Sequence, residues 1–172
     1  MRVFTVGHGV RPIEELLETL RGAAVETLVD VRRFPSSQRN PQFNQNALAD
    51  ALAAAGIAYR HAAELGGRRS GEPGEERFSC LRTAGFRSYA ARMASDAWQQ
   101  ALAEALAEPT PSLMCAETDW RRCHRRLIAE LLVARGDTPI HLLGPGRREG
   151  HRRYDESDIR DGRLYLCGTI VA

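Results

Sequence analysis

Cys115 and Glu117 close the run Pro111-Ser112-Leu113-Met114-Cys115-Ala116-Glu117, and Cys123-His124-Arg125 follow after a short polar loop. Leu113 and Met114 are the last bulky apolar residues before that loop. Leu127, Ile128, Leu131 and Leu132 recur behind it at helical spacing, so the stretch reads as strand, loop, helix. Cys115 and Glu117 then leave the carboxyl end of a strand, while Cys123, His124 and Arg125 occupy a first helical turn whose outward N–H groups favour anions. Cys115 is a nucleophile or redox thiol if the helix terminus, His124 or Arg125 lowers its pKa, because only the thiolate attacks. It is equally well read as a half-buried structural thiol. With Cys123 it offers a transient disulfide. With Cys123, His124 and His8 it offers zinc-compatible ligands, but adjacent Cys123 and His124 are poorly spaced to reach one ion, so no metal is assigned. Cys115 and Arg121 also match the outline of a thiol phosphatase loop. Glu117 and Asp119 inside that loop, with no glycine to relieve the turn, count against it.

These groups need a scaffold. Arg2 to Val6 is a short β-branched and aromatic run that stops at Gly7-His8-Gly9, and Pro12 then opens a helix with Ile13, Leu16, Leu17 and Leu20 on one face. Thr27 to Val31 is an almost continuous apolar run broken by Asp30, with Arg32 and Arg33 at its exit, as in a strand covered on both faces. Phe34 to Asn46 is rich in Pro, Ser and Asn and reads as a long ordered or functional loop carrying Arg39 and Phe43. An alanine-rich helix ends at Gly56, a third strand starts at Ile57, and Arg68 to Arg77 reads as a mobile segment. Helices follow from about Phe86 to Met93 and from Ala97 to Leu106. After the central strand and helix comes a fifth strand, Ile140 to Leu143, containing His141. In the charged tail, Leu164 to Val171 alternates weakly and predicts an extra edge strand. Strands alternating with helices give an α/β fold, a three-layer sandwich around a mostly parallel sheet of about five strands, in one domain spanning residues 1–172.

Ligands of open α/β sheets settle at the carboxyl ends of the strands. His8 follows the first strand, Asp30 and Arg32 the second, and Cys115 and Glu117 the fourth. Glu117 and His8 are candidate acid/base groups. Asp30 orients a neighbouring histidine or arginine, or simply pairs with Arg32. Arg32, Arg39, Arg121 and Arg125 form a candidate anion-binding group, with Phe43 and Trp120 available to stack a base; Phe34 and Tyr59 read as core.

Composition narrows the class. Hydrophobic content of 43% and charged content of 27% are globular values, and the net charge of +2 argues against a general polyanion-coating protein while leaving a local basic face open. All 24 basic residues are arginine, so lysine chemistry is excluded. Four cysteines without a secretory leader point to a reduced, cytoplasmic setting, and no apolar run reaches membrane-spanning length.

The motifs Thr5-Val6-Gly7-His8-Gly9, Leu28-Val29-Asp30-Val31-Arg32, Arg39-Asn40-Pro41-Gln42-Phe43-Asn44, Leu65-Gly66-Gly67, Phe86 with Tyr89 and Met93, Cys115-Ala116-Glu117 and Cys123-His124-Arg125 occur in that order. Together they resemble the bacterial and archaeal domain-of-unknown-function 488 family over about residues 2–143, with 147–172 as an extension. The resemblance implies a compact α/β fold with polar motifs gathered near one sheet edge. It marks His8, Asp30, Arg32, Arg39, Cys115, Glu117, Cys123, His124 and Arg125 as motif positions without assigning roles.

The functional expectation is an enzyme acting on a phosphate-bearing substrate, a nucleotide or nucleic acid. Cys115, Glu117, His8 and Asp30 form its catalytic group, and Arg32, Arg39, Cys123, His124 and Arg125 its binding group. No cofactor is implied. A non-enzymatic nucleic-acid-binding module, using the same arginines and the tail cluster Arg147, Arg148, Arg152 and Arg153, is the alternative, and a zinc-dependent site the third reading.

Overall fold

The structure is a computed structural model describing residues 1–172. Strands β1 (Arg2–Gly7), β2 (Thr27–Asp30), β3 (Ala58–His61), β4 (Pro111–Cys115) and β5 (Thr138–Gly144) run parallel. β6 (Arg147–Gly150) joins β5 antiparallel, giving the order β3-β2-β4-β1-β5-β6. The helices are α1 (Ile13–Gly22), α2 (Gln45–Ala54), α3 (Ala84–Met93), α4 (Asp96–Leu106) and α5 (Arg125–Ala134). Side-chain oxygens of Thr83 and Ser95 accept from the N–H groups of Phe86 and Trp98, capping α3 and α4.

Alternation along the strands divides the core into two layers. Phe4, Val6, Leu28, Met114 and Leu142 pack with Leu16 and Leu20 of α1 and Leu48 and Leu52 of α2. Val3, Val29 and Leu113 face the opposite way, onto α3, α4 and α5. Two-residue periodicity therefore turns Thr5, Cys115 and His141 towards the α5 side as well. β1 leads through α1 to β2, two places away; β4 leads through α5 to β5, two places away in the other direction and over the other face. The β1/β4 boundary is thus the topological switch point, where a crevice opens at the carboxyl ends.

The sheet has six strands where about five were expected, and the added edge is Arg147–Gly150 rather than Leu164–Val171. The end of the chain instead builds a separate antiparallel sheet of β7 (Ser157–Arg160), β8 (Arg163–Leu166) and β9 (Thr169–Ile170). Leu164, Leu166 and Val171 pack into the same core layer as α5, which explains why that helix is buried on almost every side. The segment after Arg68 carries a short 3-10 turn, Glu75–Phe78, with Phe78 buried. Cys80 and Cys167 are joined by a disulfide that ties this segment to the tail sheet, so two thiols are free, not four. No helix is long and apolar enough to cross a membrane.

Candidate functional site at the carboxyl ends of β1 and β4

The strand exits are stitched together beyond the sheet: the His8 N–H donates to the Cys115 carbonyl at 3.0 Å and the Gly9 N–H to the Ala116 carbonyl at 2.9 Å. Gly7 permits this approach, since a Cβ there would run into the Glu117 backbone. A two-lobed cleft opens above. One lobe, of about 470 Å³, is bounded by His8, Arg32, Arg33, Phe34 and the loop residues Ser36, Ser37 and Asn40. The other, of about 610 Å³, reaches Thr83, Phe86, Tyr89, Arg121 and Cys123. Gly67, Arg68, Cys115, Ala116, Glu117 and His124 line both, forming the seam between them.

Sulfur and imidazole meet on that seam. The His124 Nδ1 atom lies 3.8 Å from the Cys115 sulfur and 3.5 Å from the Cys123 sulfur. The ligand atoms of Cys115, Cys123 and His124 all fall within 4.8 Å of one another. Adjacency of Cys123 and His124 is no obstacle, contrary to the sequence expectation. Cys123 has extended backbone (φ −115°, ψ 151°) and His124 is already helical (φ −56°, ψ −21°), and this change of direction brings both side chains to the same point. Gly67 completes the arrangement, because a Cβ there would stand 2.6 Å from His124 Nδ1. His124 Nε2 is buried with no hydrogen-bond partner. The lowered thiol is Cys123, not Cys115. Burial opposes its ionisation, but the hydrogen bond from Cys115 and the charges of His124 and Arg125 outweigh it. Cys115 is pushed up by that same hydrogen bond, by burial and by the neighbouring thiolate.

A second group forms the wall on the β1/β2 side. The Asp30 carboxylate is fully buried and takes Arg32 in a bidentate pair, Nε at 2.8 Å and Nη2 at 2.6 Å. It also accepts from the Tyr59 hydroxyl at 2.9 Å, which makes Tyr59 half polar anchor, half core. Arg32 in turn points its Nη1 at His8 Nε2, 3.3 Å away. His8 Nδ1–H donates to the Gly9 carbonyl at 2.8 Å, so Nε2 is the lone-pair nitrogen, and the ring stacks on Phe43 with centroids 4.3 Å apart. Burial first, and Arg32 second among the lowering causes, depress His8 to about 4. His8 is therefore a neutral ring holding Arg32, with no lone pair to spare as a base.

Several expected binders stand elsewhere. Arg125 is almost wholly buried and directs its guanidinium inward, to the Glu117 carbonyl, to Thr5 Oγ1 at 3.4 Å and to the Cys123 sulfur at 3.4 Å. It fastens the β4–α5 loop instead of facing an anion. Arg39 is exposed on its loop and outside the cleft lining. Phe43 and Trp120 are buried, Trp120 flat against His141 with centroids 4.0 Å apart, and neither is free to stack a base. Phe34, expected in the core, is 58% exposed at the cleft. Glu117 is exposed at the seam, as a solvent-accessible carboxylate should be. Besides the carboxylate-paired Arg32 and Arg121, the cleft is lined by the exposed cations Arg33 and Arg68 in the first lobe and Arg122 in the second, with Arg33 Nη1 donating to the Arg68 carbonyl at 3.2 Å. The signal of the first two lay in position: Arg33 directly follows Arg32 at a strand exit, and Arg68 directly follows the Gly66-Gly67 pair.

The fold and this seam define an α/β protein with a polar crevice at the switch point of its sheet. The chain belongs to the family described as domain of unknown function DUF488, whose model matches residues 12–132. β1 and its Gly7-His8-Gly9 exit precede the matched range, which is shorter than the 2–143 span of the resemblance. No match was found among curated proteins or among solved structures.

Proposed function

We propose that the protein is an enzyme that binds a phosphate-bearing substrate, a nucleotide or nucleic-acid strand, in the two-lobed cleft and acts on it at the Cys115–Cys123–His124 seam. The observation that carries this reading is the meeting of sulfur and imidazole with the exposed guanidinium groups of Arg33 and Arg68 around one opening. Planar guanidinium forks suit phosphate oxygens, and Ser36, Ser37 and Asn40 add uncharged polar groups beside them. Asp30 and His8 fix Arg32 at the rear of the same lobe, so that wall is positioned before any ligand arrives. Phe34 supplies an exposed ring for a base or other flat group. Glu117 is the accessible carboxylate for proton transfer.

The test is titration calorimetry with inorganic pyrophosphate and a short single-stranded oligonucleotide, on the natural chain and on Arg33→Ala/Arg68→Ala. Binding that weakens at least tenfold in the double variant supports the reading. No binding of either probe, or equal binding by both proteins, overturns it. The non-enzymatic alternative adds a second surface to those arginines: Arg147 and Arg148 are exposed on edge strand β6, and the Arg152 side chain is 81% exposed. If oligonucleotide binding survives loss of Arg33 and Arg68 but falls when Arg147, Arg148 and Arg152 are changed together, the tail face is the binding surface and the cleft is not.

A further inference from the structure

We infer that Cys115, Cys123 and His124 form a three-ligand site for a thiophilic divalent cation, zinc above all, with a fourth coordination position open to the cleft. Tetrahedral zinc with Zn–S of about 2.3 Å and Zn–N of about 2.0–2.1 Å places a sulfur and a nitrogen ligand about 3.5–3.6 Å apart. The two sulfur–nitrogen separations here, 3.5 and 3.8 Å, already stand at that edge length. An ion seated among the three atoms needs displacements of a few tenths of an ångström on those edges, well within rotamer adjustment.

Three further features fit an ion better than a plain hydrogen-bonded cluster. Sulfur and imidazole are ligands of the soft to borderline class that zinc selects. Gly67 leaves free the space beside Nδ1 that any side chain would occupy, so a loop residue has been kept small where the coordinating nitrogen faces the cleft. Arg125 donates to the Cys123 sulfur at 3.4 Å, the kind of outer hydrogen bond that steadies a metal-bound thiolate. Cys123 is buried while Cys115 and His124 line both lobes, so the only approach left to a fourth ligand is from the cleft. Two thiolates, one imidazole and one open position make the ligand set of a catalytic rather than a structural zinc site. The ion there acts as Lewis acid towards an oxygen of a bound ligand or lowers the pKa of a bound water. Only the use of that fourth position on a phosphate-bearing substrate rests on the function proposed above; the ligand set stands on its own geometry.

The test uses the full chain purified anaerobically without a histidine tag. Expected are about one zinc per chain by elemental analysis and, after exchange with cobalt, a thiolate-to-metal charge-transfer band with the strong visible bands of tetrahedral cobalt. Cys115→Ser and His124→Ala should each weaken zinc at least tenfold in competition with a chromophoric chelator. Cys115 is half-buried, so its serine variant keeps the fold, checked by circular dichroism, should the buried neighbour not tolerate change. Zinc should also slow alkylation of Cys115 by iodoacetamide, a readout that needs no activity. Folded protein that takes up less than about a tenth of an equivalent and shows no charge-transfer band overturns the site, as does zinc affinity unchanged by both variants. Zinc bound without pyrophosphate or oligonucleotide binding keeps this site and removes the cleft reading; anion binding by a protein that takes no metal does the reverse.

Discussion

Two polar clusters, one holding His124 and the other His141 and His151, are built to opposite rules. On the cleft side, His124 sits between two sulfurs with its Nε2 unpartnered. On the inner side every polar atom has a partner. Glu130, fully buried, accepts from the Tyr154 N–H at 2.6 Å, from Ser157 Oγ at 2.8 Å and from His151 Nε2 at 3.1 Å. A carboxylate can only accept, so His151 Nε2 carries a proton, and His151 Nδ1 lies 3.0 Å from His141 Nε2. His141 Nδ1 pairs with the Thr5 hydroxyl at 2.7 Å, and Arg125 donates to that oxygen at 3.4 Å. One chain of hydrogen bonds joins Arg125 to Glu130. A fully satisfied buried network holds parts together and offers nothing to a ligand; on the seam, two sulfurs and Nδ1 converge beside the cleft, where a ligand fits.

The comparison predicts that the inner cluster governs stability and the seam does not. Glu130→Ala removes the acceptor shared by three groups of the tail and should cost about 3–5 kcal/mol, because buried donors lose their partner outright. Urea unfolding measures it, and limited proteolysis should show the tail after Gly150 released first. A loss below about 1 kcal/mol would mean that the tail is held by apolar contacts alone.

Next in size is the disulfide. Cys80 and Cys167 are 87 residues apart, so the cross-link removes substantial loop entropy from the unfolded chain. Cys80→Ser/Cys167→Ser should lower the unfolding free energy by roughly 2–4 kcal/mol while leaving metal uptake at the seam unchanged. Reduced metal uptake would show instead that the tail sheet and the seam are coupled.

Acidification gives a smaller and graded effect. Burial, then the neighbouring His151 and Arg125, lower His141 from 6.5 to about 2. As pH falls, the unfolded chain takes up this proton near 6.5 and the folded chain resists until about 2, so stability is full above about 6.5 and declines below it. The contribution approaches about 1.4 kcal/mol per pH unit for one proton. Unfolding at pH 7 and pH 5 should therefore differ less in His141→Gln than in the natural chain, and an identical difference would sink the assignment.

Legibility in the sequence followed the same division. Strand exits were readable because apolar runs stop at Gly7, Asp30 and Cys115, and a mostly parallel sheet then places those residues on one edge. The inner cluster was hidden by distance: Glu130 finds its partners at positions 151, 154 and 157, and Cys80 its partner at 167. Part of it was nonetheless written in helical spacing. Glu130 shares a stripe with Leu127, Leu131 and Ala134, and Arg125 one with Ile128, Ala129 and Leu132, all buried. A charge on an apolar stripe announces a buried ion with dedicated partners, and that signal separates Arg125 from the surface arginines. The alternation of Leu164 to Val171 showed strand but not sheet, since period two says nothing about which partner is paired.

The smallest stability effect carries the sharpest functional contrast. Arg33 and Arg68 are exposed, and neither forms an ion pair within 4 Å of a carboxylate. Replacing both by alanine should leave the unfolding free energy within about 0.5 kcal/mol of the natural chain, as for surface substitutions generally. The same change should abolish most pyrophosphate binding, because both guanidinium forks stand exposed at one opening without a carboxylate partner. A residue whose removal costs binding and not stability belongs to the ligand; one whose removal costs stability and not binding, as expected of Glu130, belongs to the fold. If the Arg33/Arg68 variant instead unfolded at markedly lower urea with pyrophosphate affinity intact, the two regions would have exchanged roles, and the cleft would be a seam of the architecture rather than a place of work.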